Sequence, residues 1–117
     1  FIEDFIKKIE PEIVYTTSIH ERHQDHLNVA LSMLVAGRSV NQVYAYETIS
    51  CTNDFHPVMF VDITSTMESK NTALSSHKSQ MNRLYMENAE LVNQYRAVKI
   101  GKPNKAFESF EVIKRVI

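Results

Sequence analysis

Glycine stands at only two positions, Gly37 and Gly101, so no Gly-rich loop for cradling phosphates can be built. The single cysteine, Cys51, excludes an internal disulfide and fits a reducing compartment, giving a cytoplasmic expectation. No base or cation adjoins Cys51 in Ser50-Cys51-Thr52-Asn53, so it reads as an ordinary residue rather than a reactive thiol. Neither charge dominates: 13 basic and 14 acidic residues are interspersed. A basic field for nucleic acid is missing, as is an acidic tail for a basic partner. There is no apolar run long enough to span a membrane, and Glu3, Asp4 and Lys7 do not suit a signal-peptide core. Repeats, low-complexity tracts and Pro/Gly-rich linkers are also lacking, so residues 1–117 read as a single domain or part of one.

Histidine is concentrated instead. Three of five histidines fall within His20-Glu21-Arg22-His23-Gln24-Asp25-His26. Imidazole is a common transition-metal ligand and the usual acid or base near neutral pH. Upstream, Ile13-Val14-Tyr15-Thr16-Thr17 has β character; downstream, Leu27 to Ala36 reads as a buried helix. The cluster therefore lies where a strand ends and a helix begins, the crevice in which open α/β sheets place ligands. A chance polar loop is the competing reading, and a carboxylate in a first helical turn needs no more than the helix dipole. His23 and His26, three apart, share a face if the turn is helical, and Asp25 can orient one imidazole through its second N–H.

Along the chain, Ile2, Phe5, Ile6 and Ile9 make one helical stripe closed by Pro11. Strands are expected at Glu12–Thr16, Val40–Thr48 and Val58–Val61, with Gly37 ending the intervening helix. Ser65-Thr66-Met67-Glu68 has the capping-box pattern, opening a half-exposed helix that ends at Ser79-Gln80. Lys70 and His77 on it read as surface or packing residues. Glu87–Ile100 is a further helix with Leu91, Val92, Tyr95 and Val98 inward, stopped by Gly101 and Pro103. Ala106–Val116 alternates like an edge strand. The class is α/β, a Rossmann-like, largely parallel sheet with flanking helices. Glu47, at the ligand end of its strand, reads equally as substrate-facing or as a solvated loop carboxylate; His56 suits an exposed loop.

Ser18 to His26 resembles the second motif, His-Pro-Asp-His, of the PIG-L/LmbE-like zinc-dependent N-acetylglucosaminyl deacetylases, with Gln24 in place of Pro. Val43-Tyr44-Ala45-Tyr46-Glu47, Phe55 to Ile63, Lys70-Asn71-Thr72-Ala73-Leu74 with His77-Lys78-Ser79-Gln80, and Glu108-Ser109-Phe110 are similar to later pieces, in order. The resemblance implies zinc, with His26 as ligand. It implies that His23 stabilises the oxyanion and protonates the amine, and that Asp25 holds His23 and favours its imidazolium. His20 and Arg22 would line the substrate mouth. The substrate would be an N-acetylated amino sugar or its conjugate.

The family's first motif, His-Pro-Asp-Asp with two ligands and the base, is absent from these residues. The stretch is therefore expected to be the C-terminal half of a larger domain, inactive by itself. Association is expected, with the missing half or a second copy. The alternative is a catalytically inert truncated homologue serving as a binding or assembly module. A metallo-β-lactamase-type His-x-His-x-Asp-His motif fits poorly, since two residues separate His20 from His23.

Overall fold

A computed structural model describes residues 1–79 and 84–117. They form two compact units, Phe1–Met59 with Phe110–Ile117, and Phe60–Ser109.

In the first unit, helix α1 (Ile2–Ile9) leads into strand β1 (Ile13–Thr16), helix α2 (Gln24–Ala36) and strand β2 (Gln42–Tyr46). β1 pairs parallel to β2, with Val14 opposite Val43. Strand β4 (Phe107–Arg115) then runs antiparallel to β2, placing Glu111 opposite Ala45. A register shift at Val43/Tyr44 leaves Ile113 unmatched, the signature of a bulge. The core is Ile6, Met33, Ala36, Val40 and Val43, with Ile2 and Val14 packed against it. Each large apolar side chain buried there contributes roughly 1.5–3 kcal/mol. Gly37 has an ordinary φ of −82° and opens a 3₁₀ turn. Space, not a left-handed backbone, explains this glycine: a Cβ would stand 3.1 Å from Met33 Sδ.

In the second unit, strand β3 (Met59–Asp62, its first residue in the first unit) leads through a 3₁₀ turn at Thr64–Thr66 into helix α3 (Met67–Ser75). Helix α4 (Tyr85–Lys99) follows. The expected capping box does not form: the helix starts one residue later, with Thr66 rather than Ser65 as N-cap, and Thr66 Oγ1 donates back to the Ile63 carbonyl. α3 ends at Ser75, before Ser79, and Gln80 lies outside the described residues.

Two further expectations are corrected. The sheet order is β1-β2-β4-β3, and the four strands are mostly antiparallel, so the architecture is mixed α/β rather than largely parallel. β4 is an inner strand, not an edge. Its first half is buried at Phe107, Ser109 and Phe110, and only the second half carries the exposed alternation that suggested an edge. On α4 the buried residues are Asn93 and Ala97, while Leu91, Tyr95 and Val98 are exposed. Asn93 donates to the Phe107 carbonyl at 3.0 Å and accepts from Lys70 at 2.8 Å, and Lys70 also reaches Glu108 at 2.8 Å. These satisfied polar contacts fix which face turns inward.

β1 lies at one edge of the sheet and exposes Ile13 and Tyr15; α2 buries Ala30, Met33 and Ala36 but exposes Val29, Leu31, Leu34 and Val35. An unpaired strand edge and an apolar helix face favour association. Sedimentation velocity on the 117-residue chain is expected to show concentration-dependent self-association. A monodisperse monomer at every concentration would contradict this.

Candidate active-site loop

The chain leaves β1 at Thr16 and turns into α2 through residues 17–23. Thr17 Oγ1 donates to the His26 carbonyl at 2.6 Å, pinning the end of the strand to the first turn of the helix. Residues 20–22 run against residues 50–52: Arg22 N donates to the Ser50 carbonyl, Thr52 N to the His20 carbonyl, and Glu21 bridges Cys51. The loop is thus a hydrogen-bonded ribbon.

Glu21 is its anchor. Its side chain is fully buried, with 0% exposure. Thr48 Oγ1 donates to it at 2.5 Å, the His23 backbone N–H at 3.2 Å, and His26 Nδ1 lies 3.2 Å from Oε2. Burial alone would raise its pKa. Hydrogen bonds from Ser50, Thr48, the His23 backbone and His26 outweigh that and lower it to about 2. Glu21 is therefore a buried carboxylate at neutral pH. Burial pushes the Cys51 thiol up, and the charges of Glu21 and Glu47 add to this against hydrogen bonds with Thr48, so a reactive thiolate is disfavoured. Tyr46 is likewise raised, by burial and then by the Glu21 charge.

The two motif histidines come together: the rings of His23 and His26 stack with centroids 4.3 Å apart and planes 15° from parallel. His23 is the N-cap of α2, and its Nδ1 accepts from the Asp25 backbone N–H at 3.2 Å. The contact expected between Asp25 and His23 is thus made by the main chain, with the Asp25 side chain exposed. His20 Nδ1 lies 2.9 Å from Glu111 Oε2, which also accepts from His56 N at 3.2 Å, and Ser18 Oγ donates to Glu111 Oε1. Arg22 is exposed, with Nε 3.4 Å from the Ser50 carbonyl; Glu47 is half-buried just beyond β2.

Glu21 and Glu111 had no assigned role in the sequence. Glu21 had a signal, being a carboxylate within the histidine loop itself. Glu111 had none, since 91 residues separate it from His20.

Among the described residues no three His, Cys, Asp or Glu side chains form a group able to hold a metal. The arrangement fits one ligand, not a whole centre. With Nδ1 directed to Glu21, His26 keeps Nε2 available, the carboxylate–histidine pairing that metal-ligating imidazoles use. No described helix is long and apolar enough to cross a membrane.

No protein-family model matches the chain. It is 38% identical over 84 residues to the Escherichia coli K12 protein named uncharacterized deacetylase YaiS, an alignment covering 67% of this chain and 45% of that protein. In three dimensions it is similar to GalB, the 4-carboxy-2-hydroxymuconate hydratase of Pseudomonas putida KT2440, with a TM-score of 0.68 and 19% identity. That match covers 99% of this chain and 57% of GalB. The chain thus spans about half the length of the proteins it matches, sharing a mixed α/β fold with the second and a deacetylase-named relative in the first.

Proposed function

We propose that this chain carries part of the active site of a zinc-dependent N-deacetylase of the PIG-L/LmbE-like family. The reaction would remove acetyl from an N-acetylated amino sugar or its conjugate. The observation that carries the reading is the His23-Gln24-Asp25-His26 turn at the start of α2, with stacked imidazoles and His26 backed by buried Glu21. The deacetylase-named relative supports the reaction class.

His26 would be one zinc ligand; the other ligands and the general base would have to come from outside the described residues. Zinc, when bound, polarises an acyl carbonyl and acidifies water. The residues present here do the positioning. Glu21 holds the His26 ring by its Nδ1–H. His23, its Nδ1 accepting from the Asp25 N–H, is left with an Nε2–H to donate a hydrogen bond to the amide oxygen as negative charge develops on it. His20, Arg22 and Glu47 are proposed to border the substrate.

Acetate release from N-acetylglucosamine by the full-length protein tests this. His23→Ala should keep zinc and lower turnover by about 10²–10³-fold, the usual size of one lost oxyanion donor. Unchanged turnover would remove His23 from the chemistry. An assembly module is the second reading, and the exposed apolar faces of β1 and α2 favour it. It predicts no acetate release at all.

A further inference from the structure

The partner at Nδ1 decides where each imidazole of the loop carries its proton. A backbone N–H can only donate, so His23 Nδ1, facing the Asp25 N–H, is bare, and the neutral ring carries its hydrogen on Nε2. Ionised carboxylates can only accept, so His26 facing Glu21 and His20 facing Glu111 carry hydrogen on Nδ1 and leave Nε2 bare. One loop thus holds one donor imidazole and two acceptor imidazoles. In the proposed reaction His26 is a ligand and His23 a donor. His20, expected only to line the substrate mouth, has no defined contact in that chemistry.

We propose that His20, locked by Glu111, is a substrate-positioning residue whose Nε2 accepts a hydrogen bond from a hydroxyl or N–H of the amino sugar. The substrate class rests on the deacetylase reading; the locked tautomer does not. Glu111 is well placed to hold the ring. It stands on β4 opposite Ala45, and three donors converge on it: Ser18 Oγ, the His56 N–H and His20 Nδ1. Ser18, wholly buried, also accepts from the His20 backbone N–H at 2.9 Å, so ring and main chain of His20 are tied to one network. The His20 side chain nonetheless remains 35% exposed, within reach of a ligand.

Long-range ¹H–¹⁵N correlation spectra of the full-length protein at mildly alkaline pH read the tautomers directly. The expected pattern is Nδ1–H for His20 and His26 and Nε2–H for His23. Glu111→Ala should release the His20 tautomer and leave that of His26 unchanged, which also reports that the variant is folded. Nε2–H at His20 in the unaltered chain overturns the proposal, whatever the fate of the variant. The substrate role is read in the full-length protein, where His20→Ala should raise KM for N-acetylglucosamine about tenfold with little change in kcat, as for one lost hydrogen bond. Equal KM values overturn the role while leaving the deacetylase reading intact. Absence of any deacetylation by the unaltered protein overturns both, and the tautomer result then stands apart.

Discussion

In the full-length protein, His26→Ala is expected to lose zinc and deacetylation together. The alanine removes the Nε2 that the structure leaves available and preserves the helix start, because His23, not His26, caps α2. A folded protein without metal is therefore the expected product, with turnover reduced to background. Metal content measured alongside the rate separates this from His23→Ala, for which metal stays and the rate falls. If His23→Ala strips the metal and His26→Ala does not, the two roles are reversed.

Glu21→Ala is expected to destabilise the fold by about 3 kcal/mol. The substitution removes a fully buried carboxylate and leaves the Thr48 hydroxyl and His26 Nδ1 without the acceptor it supplied, and a buried partner orphaned in this way costs roughly 1–3 kcal/mol. The pH dependence points the same way. The Glu21 pKa is lowered from 4.5 to about 2, so the carboxylate's contribution is fully present above about pH 4.5. It is lost as pH falls toward 2, an effect of about 3 kcal/mol. Glu21→Gln, which cannot titrate, should show a flatter fall in Tm across that acid range than the unaltered chain. Parallel curves for the two would show that Glu21 does not carry the effect. A second consequence concerns zinc: losing the carboxylate behind a ligating imidazole typically costs about 10–100-fold in metal affinity.

What was legible in the sequence was local. β1, the histidine turn and α2 follow from a β-branched run, a polar junction and an apolar decapeptide, all read within one window. β4 was recognisable as a strand but not as an inner one, because its pairing joins Tyr44 to Val112 across most of the chain. Nothing local marks which strand edges are covered. On α4 the large apolar residues Leu91, Tyr95 and Val98 suggest the inward face, yet they stand exposed. Packing instead selected Ala97, small enough to bury completely, and Asn93, whose amide finds both a carbonyl and an ammonium partner. In the site, His23 and His26 were visible by spacing. Their orientation was not, since it depends on a main-chain N–H at Asp25 and on a carboxylate whose burial is set by residues 48–51.

The central claim is that the loop from His20 to His26 serves a zinc-dependent deacetylation. Its most direct measurement is the rate of acetate release from N-acetylglucosamine by the full-length protein, stripped by a chelator and then titrated with zinc. The stripped protein should show a rate near zero that rises to a plateau as zinc is restored, with no recovery in His26→Ala. A rate indifferent to chelation, or one that zinc restores equally in His26→Ala, would contradict it.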